Sequence, residues 1–88
     1  MSSTNTKNPS EERYYTSAEI IKEVNISLRQ LYYWELKGIV KPKLITLGTR
    51  EFKRYSPKDL EIMKKLKQFL DEGYTLKSAV QKVQNSLR

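Results

Sequence analysis

The chain has 88 residues, with 17 Lys and Arg against 10 Asp and Glu for a formal charge of +7, and it contains neither histidine nor cysteine. A chain of this length supports one small domain that buries only about two-thirds of the surface its unfolded form exposes, so a catalytic domain has no room beside a binding one. Without His or Cys there is no disulfide framework, no cysteine-ligated zinc site and no histidine general base.

The remaining Ser, Lys and carboxylate residues show neither a nucleophile motif nor a clustered acid pair, so the expectation is a non-enzyme with no cofactor and no metal. No apolar run approaches the ~20 residues of a membrane span, and the N-terminus lacks the apolar stretch of a signal peptide; the expected place is the cytoplasm, with no membrane partner. The positive charge is concentrated. Residues 37–58 hold Lys37, Lys41, Lys43, Arg50, Lys53, Arg54 and Lys58 against Glu51 alone. A solvated loop ordinarily mixes signs, so this segment points to a polyanion, with nucleic acid the leading candidate.

Taken in chain order, residues 1–13 are rich in Ser, Thr, Asn and charge with no apolar period, and read as a disordered tail ahead of a domain at 14–88. Thr16-Ser17-Ala18-Glu19 matches a capping box and opens a first helix running to about Val24, with Ile20, Ile21 and Val24 on one buried stripe. Asn25 suits the left-handed conformation that ends a helix and gives a tight turn. Ser27 and Gln30 repeat the capping-box spacing and start a second helix that runs to about Lys37 and stops at Gly38.

Two short helices joined by so short a turn have the helix-turn-helix form, in which the second helix enters the major groove and its N-terminal side chains meet bases and phosphates. Arg29, Gln30 and Tyr33 are the expected readers. Leu31 and Trp34, with Leu28 as a further candidate, would hold the helix on the first one, and Tyr32 sits at the boundary between the two sides.

Beyond Gly38, the β-prone runs Leu44-Ile45-Thr46-Leu47 and Glu51-Phe52-Lys53-Arg54-Tyr55 flank Gly48-Thr49 and predict a hairpin with glycine at its turn. Strict alternation puts Arg50, Phe52 and Arg54 on one face and Glu51, Lys53 and Tyr55 on the other unless a bulge intervenes; the register stays open. This basic hairpin would stand beside the second helix as a wing, contacting phosphates or a minor groove.

Ser56-Pro57-Lys58-Asp59 starts a third helix to about Glu72, with Leu60, Met63, Leu66, Phe69 and Leu70 as its core stripe and its lysines as a solvated face. Gly73 closes it, Thr75 caps a fourth, and Leu76, Ala79, Val80, Val83 and Leu87 continue an apolar stripe. The expected fold is mainly α with a small β-hairpin wing, a winged helix-turn-helix of four helices.

Several separated motifs now stand in order: Tyr15 to Lys22, Ile26 to Glu35, Gly38-Ile39-Val40-Lys41-Pro42, Lys53-Arg54-Tyr55-Ser56 with Asp59-Leu60, and Gly73-Tyr74-Thr75-Leu76. Together, over about Tyr15 to Val83, they resemble the DNA-binding domain of MerR-type transcription regulators. The resemblance implies binding to promoter double-stranded DNA as a homodimer or DNA-dependent oligomer, on the nucleoid, with RNA polymerase as a further partner. It implies DNA contacts for Arg29 and Tyr33 on the recognition helix and for Lys53 and Tyr55 in the wing.

The full candidate DNA-binding set is Ser27, Arg29, Gln30, Tyr33, Lys37, Arg50, Lys53, Arg54 and Tyr55. Three positions depart from the family pattern. Asn25 stands for Gly; Lys53 stands for Arg, keeping charge but losing the two-pronged phosphate contact; and Tyr32 stands where Arg is frequent, which bears on target preference. The sequence stops within or just after the fourth helix, short of the dimerisation helix and sensor segments usual in the family, and so reads either as a fragment or as a small protein that pairs on DNA. Two other readings stand beside it. One is an architectural DNA-bending factor resembling phage excisionases, and the other a protein-interaction adaptor whose basic hairpin grips an acidic partner.

Overall fold

The structure, a computed structural model, describes residues 13–86. The tail expected over residues 1–13 lies outside the described residues except for Arg13, and Leu87 lies outside them too. Arg13 is held in place. Its guanidinium pairs with Glu19 at 2.5 Å and covers the Tyr15 ring at 4.7 Å, so folded structure reaches one residue further than composition suggested.

Four helices and one hairpin follow in order: α1 (Ser17–Val24), α2 (Leu28–Leu36), β1 (Lys43–Leu47), β2 (Arg50–Arg54), α3 (Pro57–Asp71) and α4 (Leu76–Ser86). Local chemistry sets most boundaries. The Thr16 hydroxyl accepts from the Glu19 amide while the Glu19 carboxylate accepts from the Thr16 amide, and Ser56 with Asp59 repeats the exchange on α3. Each box satisfies amides that the helix leaves without partners. On α2 only half of the expected box forms: the Ser27 hydroxyl accepts from the Gln30 amide at 3.0 Å, and no return bond from the Gln30 side chain accompanies it.

The ends are equally local. Asn25 takes φ 63 and closes α1, its amide bonding the Ile21 carbonyl, and the Ile26 amide bonds the same carbonyl. Gly38 at φ 79 lets its own amide reach the Glu35 carbonyl and the Ile39 amide reach that of Trp34, a return that only a left-handed residue permits.

The hydrogen bonds of the first box act on Glu19, whose carboxyl is held below its ordinary value of 4.5 chiefly by the Thr16 amide, with Arg13 adding to the effect. A carboxylate lowered on folding contributes stability that is present above 4.5 and is lost as pH falls through its lowered folded value. Glu19→Gln should therefore flatten the acid limb of a thermal-stability profile between neutral pH and pH ~3. An acid limb identical to wild type would remove this role.

β1 and β2 pair antiparallel with Leu47 opposite Arg50, Ile45 opposite Phe52 and Lys43 opposite Arg54. The loop is the two-residue Gly48-Thr49, with Gly48 at φ 65 in its first position, as a type II′ turn requires. The register is regular, with no bulge, and so the alternation read from sequence is physically realised on both faces.

Ile20, Val24, Ile26, Leu31, Trp34, Val40, Tyr55, Met63, Leu66, Ala79 and Val83 form one buried core. Helix α3 packs against both α1 and α4, and α1 against α2. Leu31 and Trp34 anchor α2 from below, with Trp34 only 1% exposed. Leu28, the further candidate for that role, is exposed in the first turn of α2, and Tyr32 is exposed as well. Tyr55 supplies the second large aromatic of the core. Its backbone exchanges both hydrogen bonds with Tyr15 at 2.8 Å, tying the foot of the wing to the start of α1.

Candidate nucleic-acid interface

With Leu31 and Trp34 buried, the 3.6-residue turn of α2 turns Arg29 and Leu36 directly away from the core and places Tyr32 and Tyr33 on the two shoulders of that outward ridge. All four are exposed, and Leu36 reaches 82%. Arg29 has no ion pair among the described residues. Lys37 is exposed at the end of the helix with its ammonium 5.7 Å over the Tyr33 ring. Ser27 is exposed at the other end with its oxygen engaged as the cap, and Gln30 is half-buried.

The wing meets α2 along its Tyr32 side, through a residue whose role the sequence reading passed over. Glu35, with a side chain only 12% exposed, accepts from Lys53 Nζ at 2.7 Å on one carboxylate oxygen and from the Tyr55 hydroxyl on the other. The Lys53 ammonium also lies 4.4 Å over the Tyr32 ring, and the Ser17 hydroxyl donates to the Tyr55 oxygen at 3.5 Å. One carboxylate on α2 thus grips Lys53, on the inward face of β2, and Tyr55, just past its end. Burial, and then the bond to Glu35, push the Tyr55 phenol far above its ordinary range, so it is a hydrogen-bond donor at every physiological pH.

This geometry corrects one of the wing assignments and gives another a second partner. Tyr55, expected at the DNA surface, is 0% exposed, because the same alternation that sends Phe52 outward sends Tyr55 into the core beneath α2. It has no surface to offer a ligand. Lys53 keeps 39% of its side chain exposed while its ammonium pairs with Glu35, which joins the wing to α2. The signal was present in the sequence, since Lys53 and Tyr55 share one face at period two and Glu35 falls one helical turn after Tyr32, but nothing local says that these two faces meet.

Glu35→Ala leaves Lys53 and the buried phenol without their acceptor. Allowing for the partial exposure of Lys53, the loss should be ~1–3 kcal/mol in a denaturant titration, with Glu35→Gln milder because it still accepts from Tyr55. Equal stability of Glu35→Ala and wild type would show that the joint carries no energy.

The opposite face of the hairpin carries Lys43, Arg50 and Arg54 around Phe52, with Arg50 and Lys43 exposed and Arg54 half-buried. Among the described residues no group of three His, Cys, Asp or Glu side chains is arranged to hold a metal ion, and no helix is long and apolar enough to cross a membrane.

A capped helix with an exposed ridge, lying on a preceding helix across a tight turn and flanked by a two-stranded hairpin, defines a winged helix-turn-helix. Residues 15–86 match the model of the MerR HTH family of regulatory proteins, and the chain belongs to that family. No curated protein matches it. Among solved structures it is similar to a MerR-family transcriptional regulator from Bacillus cereus, with a TM-score of 0.70 and 20% identity over 81% of this chain and 52% of that one. It is also similar to HiNmlR, a MerR family regulator lacking the sensor domain, seen bound to promoter DNA, with a TM-score of 0.64 and 21% identity over 85% of this chain and 55% of that one. The chain spans about half the length of these structures, and at such identity the likeness concerns the fold.

Proposed function

We propose that the protein is a sequence-specific double-stranded DNA-binding transcription regulator, which inserts α2 into the major groove and sets the wing on the flanking phosphates. The observation that carries this reading is the exposed ridge of α2, where Arg29, without an ion pair among the described residues, stands between Tyr32 and Tyr33 while Leu31 and Trp34 are turned into the core. A helix of this diameter fits the major groove, and an arginine there can bond guanine O6 and N7 together. Family membership supports regulation as the purpose, and HiNmlR on promoter DNA supports a duplex as the ligand.

The base readers in this proposal are Arg29 and Tyr33, with Gln30 at the edge of the ridge. Ser27 and Lys37 serve phosphates at the two ends of the helix, and Arg50 and Arg54 do so from the wing. As a regulator it would act on the nucleoid in the cytoplasm, pair with a second copy on its operator and work on RNA polymerase there. Selection of bound fragments from genomic DNA, followed by mobility shifts against a random duplex at several salt concentrations, is the direct test. Recovery of a shared sequence bound at least 10-fold more tightly than random duplex is the expected result. Retention without any enriched sequence, or a salt-independent interaction, would overturn it.

A further inference from the structure

The two faces of the wing carry different electrostatics. On the face toward α2, Lys53 is neutralised by Glu35, and the hairpin's one acid, Glu51, lies on that side too. The other face holds Lys43 directly across from Arg54, and Arg50 two positions along from Phe52, with no carboxylate among them. None of the three forms an ion pair among the described residues. Like charges directly opposite one another destabilise a strand pair, so such a face costs stability in the free protein.

Phe52 organises it. Arg50 and Arg54 stand two residues before and two residues after Phe52 on the same face of β2, and they bring their guanidinium carbons to 5.4 and 5.5 Å from the centre of the one ring. Arg54 is held a second time, its Nη1 donating to the Lys53 carbonyl at 2.9 Å. Free arginine side chains lose rotamer entropy when a ligand fixes them, and cations already stacked on a ring have lost part of it beforehand.

From this we infer that the outer face of the wing is a preorganised phosphate-binding site for the duplex backbone, in which Arg50 and Arg54 each engage a phosphate and Phe52 is the positioning residue that holds both guanidinium groups ready. This rests on the DNA-binding reading above and gives that reading its wing ligands. It assigns the phosphate contact to Arg50 and Arg54, which are uncompensated, in place of Lys53, which is spent on Glu35. Phe52 touches no nucleic acid in this scheme and acts through its two neighbours.

The test is the salt dependence of duplex affinity, measured by fluorescence anisotropy on the full chain with one labelled duplex. Each phosphate contact contributes about −0.9 to the slope of log affinity against log salt. Arg50→Ala and Arg54→Ala should each make the slope shallower by about that amount, and the double variant by about twice it. Phe52→Leu keeps both charges and an apolar side chain opposite Ile45. It should leave the slope near wild type while lowering affinity ~3- to 10-fold, as expected when two side chains must be ordered on binding. Phe52→Tyr should restore the affinity. A merely structural role for Phe52 would show as a fall in melting temperature that tracks the affinity loss and is not rescued by tyrosine.

The proposal is overturned if the Arg50→Ala, Arg54→Ala double variant keeps the wild-type slope, and in that case a steep wild-type slope leaves duplex binding itself standing. It is also overturned if Phe52→Leu binds as tightly as wild type, or if an unstructured single strand binds as well as the duplex with the same dependence on both arginines. Absence of any wild-type binding to duplex removes both this site and the functional reading beneath it.

Discussion

Trp34→Ala should remove a large share of this protein's stability. The side chain is 1% exposed, sits on the inner side of α2 and shares the core with Leu31, Tyr55, Met63 and Leu66. Truncating a buried aromatic of this size removes both its transfer free energy and the packing around it, at a cost of about 3–5 kcal/mol. A domain of this length holds a total of only ~4–13 kcal/mol, so the loss is roughly a quarter of its stability or more. In a thermal melt followed by circular dichroism the midpoint should fall by ~12 °C at least, with the cooperative transition broadened or lost.

Trp34→Phe separates packing from the indole itself. It keeps much of the buried area and should recover most of the loss, because no hydrogen-bond partner of the indole is found among the described residues. A midpoint for Trp34→Ala within ~5 °C of wild type would mean that α2 is held by something other than this side chain.

Arg29→Ala carries the largest expected effect on recognition. Arg29 points directly away from Leu31 and Trp34, is exposed and has no ion pair among the described residues, so its removal disturbs no packing. A good two-pronged arginine contact to guanine contributes ~1–3 kcal/mol of discrimination, which corresponds to roughly 5- to 150-fold in the ratio of operator to random-duplex affinity. Melting temperature should stay within ~4 °C, since exposed substitutions away from structural features change stability by at most about 0.5 kcal/mol. The informative readout is the ratio: Arg29→Ala should collapse it, while the Arg50 and Arg54 variants should lower both affinities together. An unchanged ratio with both affinities reduced would make Arg29 a phosphate ligand and move base reading to Tyr33 or its neighbours.

Much of the architecture is legible without coordinates because it is decided within a few residues of chain. Thr16 with Glu19, Ser56 with Asp59, and the left-handed residues Asn25, Gly38 and Gly73 mark helix boundaries by bonds that close over three to five residues. The Gly48-Thr49 loop fixes its hairpin in the same local way, and the inward stripe of α2 follows from the helical period. Family membership is legible too, since it rests on those same short motifs in order.

What sequence could not decide is which face of one element meets which face of another. Alternation along β2 separates Arg50, Phe52 and Arg54 from Lys53 and Tyr55 but does not say which set is turned to the recognition helix. Aromatic and basic residues look alike as wing residues whichever way they point. Only the packing of the hairpin on α2 and α1 makes Tyr55 a core residue, gives Glu35 two partners eighteen and twenty positions away, and leaves Arg50 and Arg54 over Phe52 on the other face. The chain alone determined its helices, its turn chemistry and where its positive charge collects, because those depend on neighbours in sequence. The tertiary structure decided which of those charges are already spent, because a charge is neutralised by whatever lies nearest in space.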